Sequence, residues 1–221
     1  MSQNTLNSKQ RRTPSWYQRF FAWTMAHGNA DYEAAVRDRK QKLFAGVHGK
    51  VLEIGPGTGP NLVYYPRDTH WMGIEPNPYM HSYLKQAAKR VGLDIEIRNG
   101  TAERLEVEDN SVDAVVSTLV LCSVDNLEAT LKEILRVLKP GGRFYFLEHV
   151  AAPQDTRLRK IQNWIAPLWQ VLGDGCHPNR ETWSVLEKVG FEKLDYEHFQ
   201  ADAVPALVKP QIIGVATKAA S

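Results

Sequence analysis

The stretch VLEIGPGTGPN, Val51 to Asn61, sets Gly55, Gly57 and Gly59 on alternate positions directly after a run that reads as a buried β-strand. Glycine repeated in this way removes side chains where the backbone turns tightly or where a ligand must approach it closely. A glycine-rich turn between a first strand and a helix is where doubly wound folds hold a ligand. The backbone amides and the helix N-terminus there face the crevice at the carboxyl ends of the strands. Three ligand classes compete for such a turn. A nucleoside-triphosphate loop requires Gly-Lys-Ser/Thr, and here Gly59 is followed by Pro60 and Asn61. A dinucleotide fingerprint requires its third glycine at the position that Pro60 holds. The acidic Glu53, just before the turn, would also repel a pyrophosphate. It could instead hold, through water or loop hydrogen bonds, a ligand with a cationic amine, so an amino-acid-bearing nucleoside fits this turn better.

Outward from this turn, short apolar strands alternate with helical patterns, which predicts a parallel sheet covered by helices on both faces. Strands are expected at Val51–Ile54, Thr69–Glu75, Asp94–Arg98, Val112–Ser117, Arg143–His149, Phe191–Phe199 and Lys209–Thr217. Between the fourth and fifth, Leu127, Leu131, Ile134, Leu135 and Leu138 share one helical face. Asp125 with Glu128 reads as its capping pair, and Pro140, Gly141 and Gly142 as its stop. Asn179 reads as the cap of a later helix that carries Trp183, Leu186 and Val189 inward and ends at Gly190.

Composition narrows the function. A chain of 221 residues supports one sizeable core, and a net charge of +2 with interspersed signs lacks the basic footprint of a nucleic-acid binder. The motif of adenine amino-methylating enzymes, Asn/Asp-Pro-Pro-aromatic after the fourth strand, is replaced here by STLV; the near match PNPY, Pro76 to Tyr79, follows the second strand instead. Two cysteines, Cys122 and Cys176, are too few by themselves for a metal cluster or a disulfide framework, and no metal is expected. Residues 1–15 are polar, and no segment reaches the roughly 20 apolar residues of a membrane span. The expected setting is cytoplasmic, peripheral to a membrane at most, and the expected state a monomer or weak homodimer.

Glu75 ends the second strand in GIEPNP, sixteen residues after Gly59, where a carboxylate can accept both hydroxyls of a ribose. Together, VLEIGPGTG, the acid of GIEPN, GTAERL at 100–105, SVDAVVSTLVLCSV and ILRVLKPGGRFYFLEHV resemble the class I S-adenosylmethionine-dependent methyltransferases. A closer resemblance over residues 32–218, through TLVLCSV, YFLEHVAAP, DGCHPNRETW and VKPQIIGVATK, is to the methyltransferase-like protein 7 group, whose vertebrate members are associated with alkyl thiol methylation. That group begins with a hydrophobic membrane anchor. The resemblance implies a Rossmann-like α/β fold with seven strands in the order 3-2-1-4-5-7-6, strand 7 antiparallel, over residues 31–221. It implies S-adenosylmethionine as cofactor and S-adenosylhomocysteine as product. It also implies site residues: Glu53, Gly55, Gly57 and Gly59 around the methionine part, Glu75 and Pro76 at the ribose, Thr101, Ala102 and Glu103 near the adenine, and Thr118 and Leu119 beside the methyl. Many relatives carry an acid where this chain has Thr101, so adenine N6 would meet either Glu103 or a backbone carbonyl.

A sulfonium methyl is already activated, so in-line transfer needs a positioned nucleophile and exclusion of water more than acid–base machinery. The expected acceptor is small and apolar, with a thiol favoured; a lipid or quinone amine or hydroxyl, and a cofactor-binding module without turnover, are the alternatives. A thiol acceptor would be aided by a nearby base or positive field, for which His149, Asp174 and His177 are the candidates.

Residues 1–30 stand apart as a polar tail and an aromatic helix. Trp16, Tyr17, Phe20, Phe21 and Trp23 cover one broad face, with Arg11, Arg12 and Arg19 nearby. That helix reads as a lid over the pocket, as a peripheral membrane contact through residues 16–25, or as plain packing. The next helix, Asp31 to Phe44, reads as solvated on its basic outer face.

Overall fold

The computed structural model describes residues 14–220; Arg11 and Arg12 lie outside the described residues. Seven strands form one sheet in the order β3-β2-β1-β4-β5-β7-β6, as expected. They are β1 (Lys50–Ile54), β2 (His70–Ile74), β3 (Ile95–Arg98), β4 (Val112–Thr118), β5 (Leu138–His149), β6 (Lys193–Gln200) and β7 (Pro210–Thr217). The first five run parallel, while β7 pairs antiparallel with both β5 and β6. The chain order switches direction between β1 and β4, which opens a crevice at their carboxyl ends.

Among the described residues, six α-helices accompany the sheet: α1 (Ser15–Gly28), α2 (Ala30–Phe44), α3 (His81–Val91), α4 (Leu127–Val137), α5 (Arg157–Leu172) and α6 (Thr182–Leu186). The two sheet faces bury separate cores. One holds Leu52, Ile54, Val115, Phe144 and Phe146 against Leu131 and Ile134 of α4. The other holds Val51, Val116, Tyr145 and Leu147 against Val36, Leu43 and Leu84 of α2 and α3. Central strands covered on both faces read as near-continuous apolar runs, which is why β1 and β4 were legible.

Three local expectations are corrected. The cap of α4 is Asn126, whose extended backbone places its side-chain oxygen over the Ala129 N–H at 3.0 Å; the Asp125 amide is instead taken by Glu103 Oε1 at 2.8 Å. That helix stops at Val137, before Pro140. Leu138 already pairs with Val112, and the register shifts across 139–142 before Arg143 pairs with Ala114. Asn179 caps nothing: its amide donates to Asn163 Oδ1 at 2.9 Å, and α6 begins at Thr182 after Glu181.

Lys40 on α2 departs from the solvated reading. It is fully buried, its Nζ donating to both carboxylate oxygens of Glu33 at 2.8 Å. The aromatic face of α1 also splits. Phe21 turns into the crevice with Met25, while Trp16, Phe20 and Trp23 stay exposed.

Candidate active site

A cleft of about 330 Å³ opens at the carboxyl ends of β1, β2 and β4. Its inner wall is the glycine turn. Gly55 N–H donates to the Ile74 carbonyl at 2.9 Å, fastening the turn to β2. Gly59 has φ +85°, and a Cβ there would lie 2.9 Å from Leu84 Cδ1 and 3.1 Å from Ala87 Cβ, so glycine is required by both conformation and crowding. Gly57 differs. It too has a left-handed φ, yet a Cβ there would meet no protein atom within 4 Å, and the residue lines the cleft. The space beside it is open to the cleft.

Glu75 lies immediately beyond β2, almost fully buried, with Oε2 accepting from Gly57 N–H at 3.0 Å and Oε1 from Asn77 N–H at 2.8 Å. Burial pushes its carboxyl up to about 7, against the pull of those two amides. Both Glu75 and Pro76 line the cleft, as do Thr101, Ala102 and Glu103 on the adjoining wall. The Glu103 carboxylate is partly engaged by the loop before α4 through the Asp125 amide.

Glu53 does not reach the cleft lining. It is buried under the turn, where its carboxylate accepts from Asn61 Nδ2 at 2.7 Å, Tyr65 OH at 2.8 Å and Trp71 Nε1 at 3.0 Å. Burial raises its carboxyl, opposed by these donors and by the charge of Lys40. Its influence on the site passes through Asn61, a residue that sequence reasoning missed. Because the Glu53 carboxylate can only accept, the Asn61 amide nitrogen must face it, and that nitrogen also lies 2.8 Å from Thr118 Oγ1. The Asn61 Oδ1 is left buried, without a partner among the described residues, in a side chain that lines the cleft. Its position directly after the glycine turn was the available signal.

Thr118 and Leu119 form the floor where β4 ends. Leu119 has φ +58°, a conformation that costs a non-glycine residue about 1–2 kcal/mol. It is held there by its own N–H to the Leu147 carbonyl at 2.8 Å. The turn beyond it is clamped by Glu148, another residue not foreseen, whose buried carboxylate accepts from Ser117 Oγ at 2.6 Å, Leu121 N–H at 3.0 Å and Val120 N–H at 3.2 Å. These bonds hold a strained residue at the centre of the site.

The outer wall comes from distant segments: Phe21 and Met25 of α1, Tyr32 and Lys40 of α2, and Asp174 in the loop after α5. Asp174 has φ +50°, and burial raises its carboxyl. Tyr17 OH donates to the Leu172 carbonyl at 2.8 Å, tying α1 to the end of α5 beside Asp174.

The expectation that His149 faces an acceptor is not met. Its side chain is absent from the cleft lining and is buried behind it, with Nε2 2.9 Å from Cys176 Sγ. His177 also turns elsewhere, its Nδ1 3.2 Å from the Cys122 carbonyl oxygen and 3.1 Å from Arg180 Nη2. Of the three candidate bases, the structure brings Asp174 alone to the cleft.

Residues 52–146 match the model of a methyltransferase domain. The chain is 40% identical over 216 residues to the human thiol S-methyltransferase TMT1A, covering 92% of this chain and 88% of that one. It is 36% identical over 211 residues to TMT1B of Rattus norvegicus, covering 90% and 86%. Among solved structures, a possible histamine N-methyltransferase from Thermotoga maritima superposes with a TM-score of 0.66 at 22% identity, over 93% of this chain and all of that one, a likeness of fold. With the expected strand order, the glycine turn and the acid beyond β2 all in place, the 40% identity across most of both chains settles the family. The chain belongs to the class I S-adenosylmethionine-dependent methyltransferases, in the family of TMT1A and TMT1B.

Proposed function

We propose that this enzyme methylates small apolar thiols, with Asp174 beside the acceptor. Bound S-adenosylmethionine supplies an activated sulfonium methyl. Everything else asked of the chain is positioning, proton removal and exclusion of water. The cleft fits such a ligand at three points. Glu75 offers its carboxylate to the ribose hydroxyls, the unpartnered Asn61 Oδ1 accepts from the amino group, and the open side of Gly57 receives the methionine part. Thr101, Ala102 and Glu103 flank the adenine, Pro76 flanks the ribose, and Gly55, Gly59 and Glu53 shape the turn from behind.

The observation that carries the acceptor class is the composition of the outer wall and floor. Phe21 and Met25 of the wall and Leu119 and Val120 of the floor present apolar surface beside Tyr32 and Lys40, and Asp174 adds a carboxylate in a half-buried loop. Such a wall accepts an apolar body and can take one proton from a thiol as the sulfur attacks. The names of TMT1A and TMT1B agree with this reading. The test is S-adenosylhomocysteine formation by the full chain with matched alkyl thiols, alcohols and amines. Turnover confined to thiols is expected, and turnover of alcohols or amines at comparable rates would refute the acceptor class. Asp174→Asn is expected to lower kcat for thiols about 10²-fold, the scale of a lost proton acceptor, with S-adenosylmethionine affinity nearly unchanged. An unchanged kcat would remove Asp174 from that role.

α1 serves in this reading as a lid, with Phe21 and Met25 facing the cleft, and as a peripheral contact with lipid. No helix among the described residues is long and apolar enough to cross a membrane. Yet Trp16, Phe20 and Trp23 stand exposed on α1, and Ile161, Trp164, Leu168, Val171 and Leu172 form an exposed stripe on α5, with Trp164 83% exposed. The two helices meet at Tyr17 and Leu172, and Arg157 and Lys160 stand exposed at the start of α5. Aromatic and aliphatic side chains beside basic ones suit the surface of an anionic bilayer, where a cytoplasmic enzyme would meet apolar acceptors. Replacing both Trp16 and Phe20 by Ser is expected to reduce binding to vesicles containing phosphatidylserine about tenfold. Equal co-sedimentation of both chains would overturn the contact.

A further inference from the structure

Three soft donors that play no part in the cleft converge behind it. Cys122 lies in the turn after β4, His149 is the last residue of β5, and Cys176 sits in the loop between α5 and α6. Their two sulfur atoms and an imidazole nitrogen all lie within 4.8 Å of one another, and all three residues are buried. Trp169 Nε1–H donates to Cys176 Sγ at 3.0 Å, and His149 Nε2 stands 2.9 Å from the same sulfur. The other ring nitrogen, His149 Nδ1, is buried and without a partner among the described residues. Packing alone does not offset the desolvation of an imidazole buried against two sulfurs with Nδ1 unpartnered, and a metal bond at Nε2 would offset it in part.

We propose that Cys122, His149 and Cys176 bind a zinc(II) ion. The chemistry of the donors favours it: two soft sulfurs and a borderline imidazole suit zinc, and hard cations such as magnesium or calcium avoid them. Charge also balances. Two thiolates neutralise a divalent ion, so the assembly can stay buried, and the two thiol protons leave to solvent as the ion enters. Around a tetrahedral zinc, ligand atoms at about 2.0–2.3 Å from the metal lie roughly 3.5–3.8 Å from one another. All three separations lie within 4.8 Å, and the pair at 2.9 Å must open by about 0.6 Å. Cys176 follows Gly173 and Gly175 in its loop, a segment able to give that much. A disulfide between the same cysteines would consume both sulfurs and strip His149 Nε2 of its partner, leaving the buried imidazole with none. Zinc uses all three residues. The ion would tie the turn carrying Leu119 and the loop carrying Asp174, both of which line the cleft, to the tip of β5 behind it.

These are the two cysteines of the whole sequence, so a thiol count reports on this site alone. The full chain, purified under reductant without oxygen, is equilibrated with zinc, desalted, and analysed for metal and for thiols reactive toward a disulfide reagent. About one zinc per chain is expected, with both thiols shielded until a chelator is added. Cobalt(II) in place of zinc should show a sulfur-to-cobalt charge-transfer band. Cys176→Ser and His149→Gln should retain at least tenfold less metal, the scale on which ligand loss weakens such sites. Metal below a tenth of an equivalent, equal retention by both variants, or a disulfide that reduction does not convert to a zinc-binding form would each overturn the assignment. If the variants fail to fold, the chelator-dependent thiol count of the unaltered chain decides by itself.

Discussion

The Glu75→Ala chain is expected to bind S-adenosylmethionine about 10²-fold more weakly, equivalent to roughly 3 kcal/mol. The carboxylate would lose two charge-assisted bonds to the ribose, each worth about 1.5–3 kcal/mol, and would release the Gly57 and Asn77 amides that it now holds. Isothermal titration checks it, and an unchanged dissociation constant would remove Glu75 from the ribose. The same residue predicts a pH dependence. An acid whose folded value is raised from 4.5 to about 7 contributes stability below 4.5 that is lost as pH rises through about 7. The ligand-free fold therefore weakens on this group's account across that window. Cofactor binding runs the opposite way, since ribose hydroxyls donate to the ionised form. Affinity should tighten as pH rises from about 5.5 to 8, and Glu75→Gln should abolish the inflection near 7. Persistence of the same inflection in that variant would assign it to another group.

Glu53→Leu tests the support beneath the turn and should cost about 3–5 kcal/mol of folding stability. The replacement fills similar space but leaves Tyr65 OH and Trp71 Nε1 buried without an acceptor, frees one of the two bonds of Asn61 Nδ2, and removes one of the two negative charges acting on the buried Lys40, which keeps its pair with Glu33. Against a total of about 5–15 kcal/mol for a domain, that is a large fraction. A fall of about 10 °C in Tm, or the matching shift in urea midpoint at constant slope, is the expected reading. A loss below about 1 kcal/mol would show that Glu53 is dispensable to the fold and that its three bonds are easily replaced by water.

Much of the fold was legible because its signals are local. The alternation of apolar strands with amphipathic helices, and glycines where φ must be positive, belong to windows of ten or fifteen residues. Strand boundaries matched the structure to within a residue or two at most ends, with β5 starting earlier. The errors at Asp125 and Asn179 have a common cause. Several polar residues stand within reach of each helix start, and the choice among them depends on backbone angles and on outside partners such as Glu103 and Asn163.

By itself, the sequence determined the strands, the glycine turn and the acid beyond β2, which rest on residue types at short spacings, and its resemblance to a known family implied the strand order and the cofactor. Only the tertiary structure decided which face of α1 lines the cleft, that Lys40 is buried against Glu33, that Asn61 bonds to Glu53 beneath the turn, and that Asp174 reaches the cleft while His149 does not. Only it brought Cys122, His149 and Cys176, successive members 27 positions apart, into one buried cluster. The physical reason is range: periodicity and turn chemistry are properties of neighbouring residues, whereas burial, charge pairing and ligand convergence arise between segments that meet when the sheet assembles.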